Sequence, residues 1–231
     1  SAYFDYPSKK LNLVGITGTN GKTTTATLLH DLYSGIGYKC GLISTVTNKV
    51  VDHSIIATHT TPNPVSLNKL LNKMVLMGCT HCFMEVSSHA VVQNRVYGIE
   101  FKGGVFTNIS HDHLDYHKTF DAYIKAKKKF FDNLSPEAFA LTNIDDKNGS
   151  VMLQNTAARK FNYALKTPAD FKAKIIENEI SGLILNMDGK EFYSRLIGQF
   201  NAYNLLTVFA TATLLGQDKL ETLSALSNLS S

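Results

Sequence analysis

The stretch Leu13-Val14-Gly15-Ile16-Thr17-Gly18-Thr19-Asn20-Gly21-Lys22-Thr23-Thr24-Thr25 decides how this chain is read. An apolar run breaks into a glycine-rich turn, and a helix-forming segment follows at once. Backbone N–H groups of such a turn converge on phosphate oxygens, and the helix N-terminus adds positive potential. Lys22 and the Thr23 hydroxyl are placed to reach a terminal phosphate and its Mg²⁺. The segment reads as a phosphate-binding loop with one departure from the usual spacing: the first glycine position holds Ile16, and glycines stand at 15 and 18. Gly18, Thr19, Asn20, Gly21, Lys22, Thr23 and Thr24 are the candidate nucleotide ligands.

Outward from this loop, short apolar runs alternate with segments of helical period. Strands are expected at Leu11–Ile16, Cys40–Ser44, His81–Val86 and Gly103–Thr107, with helices near Gly21–Gly35, Pro64–Met77 and Phe120–Leu134. A further apolar run covers Ala138–Leu141. Alternation of this length specifies an α/β fold, a mostly parallel sheet flanked by helices. After Asn143 the texture changes. Residues 159–198 carry short alternating stretches with a hairpin turn at Met187-Asp188-Gly189-Lys190, expected to form a small antiparallel subsheet on the same body. A helix over Asn201–Leu215 ends at Gly216, and a short helix follows from Asp218.

Composition narrows the class. The 231 residues suffice for a sizeable core, and 44% hydrophobic against 18% charged residues fits a globular chain. No apolar run approaches the ~18 residues of a membrane span, so no membrane insertion is expected. The net charge of +4 is too slight and scattered to call for nucleic acid. Cys40, Cys79 and Cys82 form no disulfide framework, and no signal peptide precedes the first strand, which favours a reducing cytoplasm. Cys79 and Cys82 read as plain strand thiols. The chain opens with Ser1, as an excised domain or a processed protein would.

Three further features point at chemistry. Glu85 closes the run Cys82-Phe83-Met84, and a carboxylate at the carboxyl end of a parallel strand faces the ligand crevice, where it can hold magnesium. In the helix from Phe120, the residues Phe120, Tyr123, Ile124, Phe130 and Phe131 form one apolar stripe, and Lys127 falls at its centre. An ammonium there must snorkel, lose its proton or meet fixed negative charge. The loop His111-Asp112-His113-Leu114-Asp115-Tyr116-His117 crowds three histidines and two aspartates at the same rim, a pattern suited to a divalent ion or, more plainly, to a polar capping loop.

Taken together, these motifs resemble the central ATPase domain of the Mur ligases, most closely of the MurE type, over about Leu11 to Gly216. The resemblance rests on Gly18–Thr24, Thr60-Thr61-Pro62, Met84-Glu85-Val86-Ser87-Ser88-His89 with Gln93 and Arg95, Thr107-Asn108 with Asp112–Asp115, Ala126-Lys127, and Phe200-Asn201 with Asn204. It implies ATP and Mg²⁺ as cofactors and Lys127 as a carbamate. Thr23 and Glu85 match ligands of one magnesium, and His113 with the Lys127 carbamate matches the surroundings of a second. Thr60, Thr61, Ser87, Gln93 and Arg95 fall where the family contacts UDP-N-acetylmuramoyl-L-alanyl-D-glutamate, and Asn201 and Asn204 where it recognises adenine.

The implied reaction is ATP-dependent amide ligation in peptidoglycan synthesis: the D-glutamate carboxylate becomes an acyl phosphate and a diamino acid attacks it, with Lys22, His113 and Lys127 as catalytic candidates. By the same resemblance, residues 1–216 are the central domain and 217–231 a helix leading to a C-terminal domain. That domain and an N-terminal UDP-binding domain are not in this sequence, so the chain is expected to bind ATP weakly without completing ligation. Another Mur ligase or a folylpolyglutamate synthase would share the loop and the lysine. From other classes, His111-x-His113-x-Asp115 resembles the start of a metallo-β-lactamase zinc motif, although Tyr116 stands where that motif needs His; a nucleotide-binding module without chemistry is the third reading.

Overall fold

The computed structural model of the chain describes residues 1–110 and 117–229. Eleven strands form one sheet: β1 (Asn12–Thr17), β2 (Cys40–Ile43), β3 (Thr47–Val50), β4 (His53–Ile56), β5 (His81–Glu85), β6 (Gly103–Phe106), β7 (Phe139–Asn143), β8 (Arg159–Ala164), β9 (Phe171–Glu179), β10 (Gly182–Met187) and β11 (Lys190–Ser194). Their spatial order is β11-β10-β9-β8-β7-β6-β1-β5-β2-β3-β4. The pairings from β2 through β5, β1, β6, β7 and β8 to β9 are parallel, and the outer pairings are antiparallel. β1 sits near the middle, with β5 on one side and β6 on the other. Such a reversal of strand order opens a crevice at the carboxyl ends.

Seven helices are described: α1 (Lys22–Gly35), α2 (Pro64–Leu76), α3 (Ser88–Val92), α4 (Phe120–Asp132), α5 (Gly149–Met152), α6 (Gln199–Leu214) and α7 (Lys219–Ser227). Side-chain caps start several of them: Asn63 accepts from Ser66 N, Thr119 from Ala122 N, and Asp218 from Leu220 N and Glu221 N. The sheet is covered on both faces, so β1, β2, β5, β6 and β7 are buried almost throughout and read as continuous apolar runs. Successive residues feed opposite cores. Val14, Ile16 and Phe83 pack with α1 and α6, while Leu13, Cys82 and Met84 pack with residues of α2 and α4.

Two expectations change. β8 pairs parallel with β7, so the antiparallel part on that side is β9–β11 rather than the whole of 159–198. Alternation marks a half-exposed strand but carries no strand direction. At the opposite edge, β3 and β4 form a hairpin that the polar sequence Thr47–Ile56 concealed. The turn at Met187–Lys190 and the helix ending before Gly216 stand as expected; all three thiols are free and buried, but of the pair read as strand thiols only Cys82 lies in a strand, Cys79 falling just before β5.

Candidate functional site

The glycine-rich loop joins β1 to α1, so its N–H groups and the helix N-terminus meet at the crevice. Two glycines are required by geometry. Gly18 has φ +155°, and a Cβ there would lie 1.9 Å from Thr107 Oγ1; Gly21 has φ +84°, and its Cβ would lie 2.6 Å from Asn204 Oδ1. The segment after β6 clamps the loop. Thr19 N donates to Asn108 O (2.8 Å), Asn20 N to Asn108 Oδ1 (3.0 Å), and Thr107 Oγ1 to Asn20 O (2.7 Å). Lys22 Nζ folds back onto the carbonyls of Gly18 and Thr19, at 3.1 and 2.8 Å.

Glu85 is 0% exposed at the end of β5. Thr23 Oγ1 donates to its Oε1 at 2.9 Å, Thr45 N to Oε1 at 2.7 Å, and Thr45 Oγ1 to Oε2 at 3.1 Å. Among the described residues every hydrogen bond to this carboxylate comes from a neutral donor. A buried carboxylate beside a loop hydroxyl, bonded by neutral donors, is a fitting seat for a hard divalent cation. Thr61 supports it from behind, its hydroxyl donating to Glu85 O and accepting from Ser87 N.

Lys127 is 1% exposed, which rules out snorkelling. Its Nζ lies 2.8 Å from Gly18 O and 4.6 Å from the centre of the Tyr123 ring. The stripe lysine thus reaches the phosphate loop itself. Tyr123 continues the contact, its OH 3.2 Å from Thr19 Oγ1. His117 packs on Tyr123 and bonds Ser88 Oγ at 2.9 Å.

Two cavities flank the loop. One, of about 510 Å³, is lined by Lys22, Thr23, Glu85 and Lys127 together with Thr60, Thr61, Ser87 and Arg95. Gln93 does not line it but accepts two bonds from the Arg95 guanidinium, which also holds Thr61 O. The second, of about 560 Å³, is lined by Asn20, Gly21, Thr24, Asp145, Phe200, Tyr203 and Asn204 among others. Asn204 faces it, whereas Asn201 is buried behind and accepts from Asn204 Nδ2 at 3.0 Å.

His113, with His111, Asp112 and Asp115, lies outside the described residues. Among the described residues no group of three or more His, Cys, Asp or Glu is arranged to hold a metal.

Sequence reasoning passed over two residues. Thr45 follows β2 and Asp145 follows β7, both at strand carboxyl ends, and the same rule that singled out Glu85 marks their positions. Asp145 accepts from the N–H groups of Leu165, Lys166 and Thr167, from Thr167 Oγ1 and from Tyr203 OH, at 2.7–2.9 Å. Burial opposes its ionisation, but the bonds from Thr167, Lys166 and Tyr203 outweigh it and hold the carboxyl well below its usual range. Burial and then Asp145 push the Tyr203 phenol up, so it remains the donor.

A phosphate loop at the switch point of a parallel sheet, with a buried carboxylate and a buried lysine beside it, defines a nucleotide-binding α/β domain of the P-loop kind. The comparison with known families is specific: the Mur ligase middle domain matches residues 16–212, and the chain belongs to that family. It is 61% identical over 229 residues to the UDP-N-acetylmuramoyl-L-alanyl-D-glutamate–2,6-diaminopimelate ligase of Cytophaga hutchinsonii, covering 99% of this chain and 47% of that protein. The protein of the same name from Bacteroides fragilis is 52% identical over the same length, with the same coverage. A solved structure of a ligase of that name superposes with a TM-score of 0.85 at 30% identity, covering 95% of this chain and 46% of the other. A MurF from Acinetobacter baumannii shares the fold, with a TM-score of 0.79 at 16% identity. The chain spans about half the length of the curated relatives it matches.

Proposed function

We propose that this chain is the ATP-binding domain of an amide ligase of peptidoglycan precursor synthesis. In that reading the whole protein converts the D-glutamate carboxylate of UDP-N-acetylmuramoyl-L-alanyl-D-glutamate to an acyl phosphate. A diamino acid amine then attacks, and phosphate leaves as the amide forms. The names of the relatives point to 2,6-diaminopimelate as that amine. The observation that carries the reading is the first cavity, whose lining joins the phosphate loop, Glu85 and Lys127 with Thr60, Thr61, Ser87 and Arg95.

The residues divide the work. Loop N–H groups and Lys22 hold the phosphates in line with the acceptor carboxylate and offset the repulsion between two anions. Thr23 and Glu85 would hold Mg²⁺, which when bound neutralises charge developing on the phosphate oxygens. Asn204, braced by Asn201, offers amide groups to the base in the second cavity. Arg95, held by Gln93, and the Thr60, Thr61 and Ser87 wall would position the acceptor. Lys127 as a carbamate, formed when its neutral amine adds CO₂ and releases a proton, would replace a buried cation by an anion, with His113 near a second metal. A UDP-linked substrate and ATP put the reaction in the cytoplasm; among the described residues no helix is long and apolar enough to cross a membrane.

The test is ADP release by the full-length protein that contains this chain. It should require both the UDP-muramoyl dipeptide and diaminopimelate and yield the amide by mass spectrometry. ADP release indifferent to both would overturn the ligase reading. Separately, ¹³C-bicarbonate should give a carbamate carbonyl resonance that Lys127→Ala abolishes; no such resonance in the wild type removes the carbamate alone.

A further inference from the structure

Thr45 is an exposed residue that makes three polar contacts at the edge of the site, two of them to the buried Glu85. Its N–H meets Glu85 Oε1 at 2.7 Å, its hydroxyl meets Glu85 Oε2 at 3.1 Å, and the same hydroxyl lies 3.2 Å from Thr60 Oγ1. The turn that carries it is braced independently. Ser44 Oγ donates to Thr47 O at 2.7 Å, and Ser44 N to Asn48 Oδ1 at 3.3 Å, with Ser44 and Asn48 both buried.

Proton bookkeeping gives these contacts a direction. As a metal ligand Glu85 is a carboxylate, which accepts and cannot donate, so the single Thr45 hydroxyl proton goes to Oε2. Thr60 must then be the donor to Thr45, giving a chain Thr60–Thr45–Glu85. Oε1 takes two donors, from Thr23 and Thr45 N; Oε2 takes only the Thr45 hydroxyl. Of about four lone-pair sites on a carboxylate, one therefore stays open, and it lies on Oε2.

We propose that Thr45 is a positioning residue. Its hydroxyl and N–H together set the rotation of the Glu85 carboxylate so that the open Oε2 site faces a divalent cation, and through Thr60 it links the acceptor wall of the cavity to that ligand. The proposal rests on the reading of Glu85 as a metal ligand. Residues bonded behind a metal ligand fix its orientation, and their loss weakens metal binding by about 10–100-fold.

The experiment measures Mn²⁺ binding to the full-length protein with ADP, read as free Mn²⁺ by electron paramagnetic resonance, a readout independent of turnover. Thr45→Val keeps the N–H and the volume but removes the hydroxyl, and it alters an exposed position, so the fold should be unaffected. It should weaken Mn²⁺ binding by about 10–100-fold, while Thr45→Ser should stay within about threefold of wild type. In turnover, Thr45→Val should raise the KM for Mg²⁺ and largely restore kcat at saturating Mg²⁺. Thr60→Val leaves both Glu85 bonds in place and should weaken Mn²⁺ binding less than Thr45→Val; an equal or larger loss overturns the order of the chain. Wild-type Mn²⁺ affinity in Thr45→Val, with affinity lost in Glu85→Gln, overturns the positioning role while leaving the metal site intact. Unchanged affinity in Glu85→Gln as well removes the metal-site reading itself.

Discussion

Replacing Asp145 by Ala should cost stability at neutral pH, and the cost should shrink in acid. Asp145 gathers five donors from two segments: the N–H groups of Leu165, Lys166 and Thr167, the Thr167 hydroxyl and the Tyr203 hydroxyl. Hydrogen bonds to a charged acceptor are worth about 1.5–3 kcal/mol each where water is excluded. Lys166 and Thr167 are exposed and regain water when the carboxylate is removed, so most of that gross value cancels. The Leu165 N–H and the Tyr203 hydroxyl are half-buried and recover less. The net loss is about 2–4 kcal/mol, or roughly 5–15 °C in Tm for a chain of this size. The folded carboxyl titrates below its unfolded value of about 3.9, so its contribution is complete above that pH and is lost as pH falls through the folded value. Calorimetric melts of wild type and Asp145→Ala at neutral pH and at stepwise lower pH should show the gap closing as the medium becomes acid. Tyr203→Phe, which removes one bond and leaves four, should lose about 1 kcal/mol. A gap that stays constant from neutral pH into acid, or none at neutral pH, would refute the account of the five-donor clamp.

Other outcomes follow from single sites. Gly21→Ala forces a side chain onto φ +84° and a Cβ within 2.6 Å of Asn204 Oδ1, so calorimetric titration with ATP should show affinity down by about tenfold or more; unchanged affinity would remove Gly21 from the nucleotide site. Burial lowers the His81 pKa to about 4, so stability should be level above its unfolded value of about 6.5 and decline from there down to about 4; His81→Leu should flatten that slope in denaturant melts across the range. Burial raises the Cys40 thiol to about 12 and lifts Cys82 well above its ordinary value, so a disulfide reagent such as dithionitrobenzoate should label neither before unfolding, and rapid labelling of the native chain would contradict their burial.

The local signals proved legible wherever the chemistry is written in consecutive residues. The run from Leu13 to Thr25 carries strand, turn and helix in one piece, because a phosphate loop is built from backbone groups of neighbouring residues. Lys127 was also legible, since a cation at the centre of an apolar helical stripe has to be answered by something. What it answers to was not: the Gly18 carbonyl is 109 positions away in the chain, and only the packing of α4 against the loop joins them.

The same holds for the polar partners. Nothing in Thr45 distinguishes it from the neighbouring threonines Thr47 and Thr60, and its place against Glu85 exists because β2 and β5 pair in parallel register, with Ile43 opposite Met84. Asp145 resembles any aspartate after a strand until the β8–β9 connection and α6 bring five donors to it. Strand direction was hidden too, because alternation records which side of a strand is wet and is identical for parallel and antiparallel neighbours. The sequence by itself determined the central strands, the long helices, the phosphate loop and the conflict at Lys127, but not the β3–β4 hairpin. The tertiary structure alone decided which of them meet, since hydrogen bonds and close approaches between distant segments depend on strand order and register, properties of the assembled sheet that no single segment encodes.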